Sequence, residues 1–184
     1  MKINLGCGWR NFGSEWVHID NGEYKHLDYK SDISTLPMIN DSSVDLIYAS
    51  HVIAYFDRLE ILDVLKEWNR VLKPGSILRL ATPDFHTMVN LYYTKREQLE
   101  ISLDNLVGPL YGKMDMNGKN IYHKTTYDFN SLREVLESCG FGEVKKYDWR
   151  ETEHSQFDDH SQSYVPHMDK ECGTLISLNI ECKK

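Results

Sequence analysis

Residues 3–20 read INLGCGWRNFGSEWVHID: an apolar run, two glycines one residue apart, and an aspartate in close succession. Ile3-Asn4-Leu5 has strand character, and Gly6-Cys7-Gly8 makes the turn that leaves it. A strand followed by Gly-x-Gly is a weak signal alone, because glycines also serve tight turns that hold no ligand. Distance discriminates. Where such a turn holds a dinucleotide, it opens a full helix whose N-terminus binds the pyrophosphate, and an acid for the ribose follows about 20 residues on. Here Asp20 comes 14 residues after Gly6, and the intervening WRNFGSE contains a glycine and is too short for more than a turn or two of helix. Such a turn holds pyrophosphate poorly. It suits a phosphate-free ligand whose amino acid portion packs on glycine backbone while its ribose hydroxyls bond the acid, a description that fits S-adenosylmethionine.

The whole chain sets the frame. Its 184 residues suit one domain, 1–184, able to bury roughly 70% of the surface its unfolded form exposes. With 41% hydrophobic and 27% charged residues, and no run of about 18 apolar residues, nothing reads as a membrane span. Met1-Lys2 leads straight into a strand with no signal-peptide succession, so the expected location is cytoplasmic. Cys7, Cys139, Cys172 and Cys182 are scattered, with neither a CxxC pair nor zinc-ligand spacing, and are expected as reduced thiols. The net charge of −7 and the dispersed basic residues argue against a nucleic-acid partner.

Val44 to Ser50 (VDLIYAS) and Ser76 to Thr82 (SILRLAT) are apolar runs of buried-strand length, the second closed by Pro83. Between them Ile61, Leu65, Trp68 and Leu72 form one helical stripe. Asp57 and Glu60 resemble a capping box at its start, and Pro74-Gly75 stands as its stop. Strand, helix, strand is the βαβ unit of a parallel sheet. A second helix is expected over Asn130 to Cys139, through Leu132, Val135 and Leu136, with Gly140 as terminator. Ile176 to Cys182 alternates apolar with polar and reads as a strand with one drier face, in antiparallel pairing. Residues 85–127 read as a helix presenting Phe85, Met88, Val89 and Tyr92 on one face, followed by a mobile cover over a site. Residues 150–173 read as a solvated polar loop.

INLGCG (3–8), HID (18–20), SDISTLP (31–37), VDLIYASHV (44–52), RVLKPGSILRLATPD (70–84) and LREVLESCGF (132–141) together resemble the class I S-adenosylmethionine-dependent methyltransferases, in particular the compact type 11 domains. The resemblance covers most of the chain and implies an α/β fold: a Rossmann-like, mostly parallel sheet flanked by helices, with an antiparallel C-terminal strand. It implies S-adenosyl-L-methionine as cofactor. Gly6, Cys7 and Gly8 would line its methionine part, Asp20 would accept from both ribose hydroxyls, Asp32 and Ile33 would read the adenine, and Ser50 and His51 would face the sulfonium and the acceptor. Asn4 stands where many members have an acid, and Trp9-Arg10 where a third small residue is common. The helices that usually precede the first strand are missing, so a second copy in a homodimer, or the 85–127 segment, would complete the pocket.

Each candidate has a plainer alternative. Asp20 could be a surface-turn acid, SDIS an ordinary turn or cap, and Cys7 a small packed residue. His51 reads either as a base for the acceptor's proton or as a strand-end histidine that only packs. Asp84 and His86, just past the fifth strand, are alternative bases. His154, His160 and His167, interleaved with Asp158, Asp159 and Asp169, are metal-type ligands without diagnostic spacing, and no metal is assigned. Tyr92-Tyr93 and Tyr122-His123 read as core or surface. The expected activity is methyl transfer to a small-molecule or sugar-type acceptor, set against a catalytically inactive relative that binds the cofactor or a partner protein.

Overall fold

The structure, a computed structural model, describes residues 1–95, 101–167 and 169–184. Residues 96–100, inside the expected cover segment, lie outside the described residues. The strands are β1 (Lys2–Leu5), β2 (Trp16–Asp20), β3 (Tyr29–Lys30), β4 (Val44–Ser50), β5 (Leu72–Pro83), β6 (Met114–Met116), β7 (Lys119–Ile121), β8 (Gly142–Lys146), β9 (Tyr164–Val165), β10 (Thr174–Leu175) and β11 (Ser177–Lys183). The helices are α1 (Glu60–Val71), α2 (Phe85–Lys95), α3 (Asp104–Tyr111) and α4 (Phe129–Ser138).

Seven strands form the main sheet in the order β3-β2-β1-β4-β5-β11-β8. The pairings from β3 through β5 are parallel, while β11 runs antiparallel between β5 and β8. This is the mostly parallel α/β sheet with an antiparallel C-terminal strand that the sequence implies. The order reverses at β1, and a crevice at such a reversal, beyond the carboxyl ends of the strands, is where open α/β sheets bind ligands.

α1 buries its stripe as the spacing predicts, with Ile61, Leu65 and Trp68 fully inaccessible. Its start is a reciprocal cap: Glu60 N–H donates to Asp57 Oδ1, and Asp57 N–H donates to Glu60 Oε2, both at 2.9 Å. The helix ends at Val71, ahead of Pro74-Gly75, and β5 begins at once, because Leu72 is already extended and Lys73 precedes a proline. α4 is closed by Gly140 at φ +89°. Ile3, Leu5, Ile19 and Ile47 meet Trp68, Leu132 and Leu136 in one core cluster.

Three expectations need correcting. α2 turns Met88 and Leu91 inward, against Ile101, Leu106 and Ile176, and leaves Phe85 and Val89 in solvent, so its apolar face is rotated from the predicted one. Residues 150–173 are not a solvated loop: His154, Asp159, Ser161 and Gln162 are all buried. The polar groups of Asp159 and Gln162 are met inside the protein, while His154 Nε2 and Ser161 Oγ have no partner among the described residues. Tyr48 Oη donates to Asp159 Oδ2 at 2.5 Å, and Gln162 Nε2 donates to the carbonyls of Ser155 and Phe157. The polar side of β11 is covered for the same reason, since Asn179 Nδ2 donates to Ser161 O and Arg79 binds Glu181 across the β5–β11 pair. Phe12, Trp16, Leu46 and Tyr48 form a second cluster, with Phe157 of this tail packed on it.

Candidate active site

Between β1 and β2 the chain contains turns and no helix. Gly6 and Gly8 sit at φ +64° and +58°, a region open to glycine and strained for other residues. A Cβ on Gly6 would lie 2.2 Å from Val52 Cγ1, so the turn passes directly against the residues after β4. Gly6 N–H donates to Ile19 O at 2.8 Å, which ties the turn to β2. Buried His18 pins the rest of the loop. Its Nε2 accepts from Phe12 N–H at 2.9 Å, so the imidazole is neutral with its proton on Nδ1, and burial holds its pKa below the usual value.

Asp20 ends β2 and is 5% exposed. Gly8 N–H donates to its Oδ2 at 2.8 Å and Gly22 N–H to its Oδ1 at 2.7 Å. A carboxylate offers about four lone-pair sites, so two remain for a ligand's hydroxyls. Asp32 Oδ1 accepts from Ser34 N–H at 2.7 Å in a turn, and Trp68 Nε1 donates to Ile33 O at 2.8 Å, which fixes the chain after β3. At the end of β4, Ser50 Oγ is buried with no hydrogen-bond partner among the described residues. His51 follows at φ +55°, with its N–H on Ala81 O at 2.7 Å.

These groups open on one cavity of about 860 Å³, lined by Gly6, Gly8, Asp20, Asp32, Ile33, Ser50 and His51. Its other wall comes from Gly108, Gly112, Met114, Met116, Ile121 and His123 of the segment after α2, and from His160, Tyr164, His167 and Ile176. The β6–β7 hairpin is tied across the mouth by Asn117 Nδ2, which donates to Asn21 O at 3.1 Å, and Tyr55 Oη donates to Gly112 O at 2.6 Å.

Several candidates are placed elsewhere. Asn4 is buried in β1 between its register partners His18 and Tyr48, off the cavity wall. The Cys7 side chain is buried, 3.7 Å from His26 Nε2, and burial first and Asp20 second push its thiol up to about 12, so it packs rather than reacts. Asp84 is not brought to His51. Its carboxylate accepts from Thr87 N–H and Oγ1 at the start of α2, and with His86 it lines a separate recess. His154 stacks on Phe12 inside the protein, while His160 and His167 reach the cavity. Among the described residues no three His, Cys, Asp or Glu side chains are grouped to hold a metal ion.

A hydrogen-bond chain sets the His51 tautomer. Asn179 gives its Nδ2 to Ser161 O, which leaves its Oδ1 to accept Ser177 Oγ–H at 2.9 Å; Ser177 Oγ then accepts from His51 Nε2 at 3.3 Å. The proton therefore sits on Nε2 and the lone pair on Nδ1. Burial, with His160, His123 and Arg10 nearby, drives the His51 pKa well below its usual value and keeps the ring neutral.

The strand order, with its reversal at β1 and its antiparallel β11, decides the fold. The chain has the fold of the class I S-adenosylmethionine-dependent methyltransferases.

Residues 10–80 match a family described as a methyltransferase domain. A demethylmenaquinone methyltransferase of Staphylococcus haemolyticus is 26% identical, over 73% of this chain and 57% of its own length, so the chain spans little more than half of that relative. Among solved structures, a methyltransferase from Archaeoglobus fulgidus is 20% identical with a TM-score of 0.60, covering 100% of this chain and 85% of its own. The 1,6-didemethyltoxoflavin-N1-methyltransferase of Burkholderia thailandensis, solved with 1,6-didemethyltoxoflavin and S-adenosylhomocysteine, is 9% identical with a TM-score of 0.58, covering 100% of this chain and 70% of its own.

The residues lining the cavity fit S-adenosylmethionine. Asp20 keeps two acceptor sites free, Ser50 Oγ is an unpaired buried hydroxyl on the wall, and the glycine turn presents bare backbone. The cavity falls in the upper range of small-molecule sites, leaving room for an acceptor beside the cofactor. Sequence reasoning missed Tyr24, Val52 and Tyr55. They are brought to the wall by turns and long-range packing, which leave no periodic trace.

Proposed function

We propose that this chain transfers a methyl group from S-adenosylmethionine to a small-molecule acceptor. The observation that carries the reading is Asp20, buried and held through both carboxylate oxygens by Gly8 and Gly22 N–H groups, with acceptor capacity left for a ribose diol. Gly6 and Gly8 would pack on the methionine part, Asp32 and Ile33 on the adenine, and Ser50 would donate into the pocket from the end of β4. When bound, the cofactor supplies a methyl group already activated on a sulfonium, so the chain contributes mainly alignment and exclusion of water. His51 is neutral with its lone pair on Nδ1 and would take the acceptor's proton where one must leave.

A small acceptor fits a cavity closed over by the chain's own residues 105–123, and this reading calls on no second copy. It is in keeping with the name of the staphylococcal relative, a methyltransferase of demethylmenaquinone. No helix among the described residues is long and apolar enough to cross a membrane.

The test is calorimetric titration with S-adenosylhomocysteine, followed by labelled S-adenosylmethionine with a panel of small acceptors. Micromolar binding and label transfer are expected. Absence of binding at millimolar ligand would overturn the reading, and binding without turnover on any acceptor would leave the inactive, cofactor-binding alternative in its place.

A further inference from the structure

Charge is divided across the cavity. The two lining carboxylates, Asp20 and Asp32, follow β2 and β3 on one side of β1. On the other side lie His51 after β4 and His160 in the tail that packs on β5 and β11, their rings 5.0 Å apart. His123 joins them from the cover, with its Nδ1 3.2 Å from Leu110 O. Arg10 belongs to the β1–β2 turn but reaches the tail, where its Nε donates to Asp158 O at 2.8 Å. That bond uses one of the guanidinium's five N–H groups; among the described residues the two Nη groups have no hydrogen-bond partner. The His160 ring likewise makes ring contacts and, among the described residues, no hydrogen bond.

The guanidinium lies over the Trp9 ring, 4.8 Å from its centroid, and a fork so held, with both Nη groups free of hydrogen bonds, beside two imidazoles and with no lining carboxylate on that side, is a receptor for an oxyanion. The remaining wall, including Tyr55, Met114, Met116 and Ile121, offers apolar contact to the body of the same molecule. We propose that the acceptor is an organic acid with an apolar body, a carboxylic acid, enol or phenol, bound as its oxyanion between Arg10, His51 and His160.

This proposal rests on the methyltransferase reading and specifies its acceptor. The chemistry balances without further reagents. The acid's proton passes to His51 Nδ1 or is already lost to water. A lone pair of the oxyanion forms the new bond to the methyl carbon, and the pair of the breaking carbon–sulfur bond stays on sulfur. The sulfonium's positive charge and the acceptor's negative charge are both discharged. A histidine whose basicity is depressed by its surroundings is adequate here, because the proton it takes comes from an acidic group. The charged groups facing His51 and His160 are Arg10 and His123, which disfavour their protonation, and Asp158 and Asp159 beside His160, which favour it. A bound anion adds to the second set and holds the protonated imidazole in place.

The test uses 2-naphthoate as probe and 2-naphthamide as its uncharged isostere, titrated calorimetrically at pH 7 with and without saturating S-adenosylhomocysteine. Naphthoate should bind at least tenfold more tightly than naphthamide. Arg10→Gln should bring that ratio close to one with the naphthamide affinity unchanged, and His160→Gln should reduce it severalfold. Equal affinities, a ratio that survives both substitutions, or no binding of either probe would overturn the proposal. If S-adenosylhomocysteine fails to bind while the preference for naphthoate persists, the cofactor reading falls and the anion site stands. If it binds and the preference is absent, the anion site alone falls.

Discussion

Gly8 N–H lies 2.8 Å from Asp20 Oδ2, a bond that joins the turn after β1 to the acid ending β2. The carboxylate is thereby aimed before any ligand arrives. Asp20→Ala removes the acceptor for both Gly8 and Gly22 and the partner for the ribose. Hydrogen bonds to a charged group contribute about 1.5–3 kcal/mol each, so S-adenosylhomocysteine affinity should fall roughly a hundredfold. Calorimetry beside the parent protein checks this. A change below threefold would remove Asp20 from the ribose.

The two turn glycines should respond differently to the same substitution. Gly6→Ala places a methyl 2.2 Å from Val52 Cγ1 as well as in left-handed backbone, whereas a Cβ on Gly8 meets nothing within 4 Å. Backbone strain alone is worth about 1–2 kcal/mol. Urea denaturation should therefore show Gly8→Ala losing about that much and Gly6→Ala about twice as much. Equal losses would mean that the β1 turn does not press on Val52.

Stability should fall in mild acid. His154 is buried with no partner for Nε2, and burial, together with Arg79 nearby and against the pull of Asp159 and Glu153, lowers its pKa to about 4. A folded pKa below the unfolded value means that the unfolded chain binds more protons, so this contribution is whole above about pH 6.5 and is lost as pH falls toward 4. The loss by pH 5 is about 2 kcal/mol, and His18, lowered by burial, adds to it. Urea midpoints at pH 7.5 and pH 5 measure it, and His154→Phe, which keeps a flat ring beside Phe12, should flatten the dependence. Equal midpoints in the parent protein would show that His154 is not held neutral.

Arg79 spans the seam between the parallel and antiparallel parts of the sheet. Its Nε and Nη2 reach Glu181 Oε2 at 3.1 and 2.9 Å, and its Nη1 reaches Glu153 Oε2 at 2.7 Å. Arg79→Met keeps most of the stem and leaves largely buried Glu181 with only Lys145 at 3.5 Å and Glu153 with only Lys2 at 3.9 Å. With Glu153 partly in water, the expected loss is about 2 kcal/mol, read from the urea midpoint. A loss under 0.5 kcal/mol, the scale of an exposed pair, would show that solvent already screens the pairing.

The βαβ frame could be read from the chain because its apolar spacing is local: Ile61, Leu65 and Trp68 stand on one helical stripe whatever surrounds them, and only Leu72, the last of the expected stripe, falls in β5 instead. The residues at the glycine turn were legible for a related reason, since strand, turn and acid follow within 18 residues. The far wall was not. Tyr48 and Asp159 are 111 residues apart, and the polar composition of the tail reads as solvated until its hydrogen-bond partners are in place. α2 failed at the level of phase, because Met88 and Tyr92 of the expected face do turn inward but with Leu91 rather than with Phe85 and Val89, and only the packing partners choose between these neighbouring faces.

One cavity wall is drawn from residues 6–56 and the other from residues 105–176. The stretch expected to grip the donor is the first alone, while the recipient is expected to meet Arg10, His51 and Tyr55 of the first and the whole of the second. Mutation can redraw the second, swapping a methionine in the hairpin or a histidine in the tail, while the first is left untouched. Such a layout lets one donor grip be retained while lineages diverge in what they modify, and it makes residues 105–176 the place to look when two relatives share a fold and differ in taste.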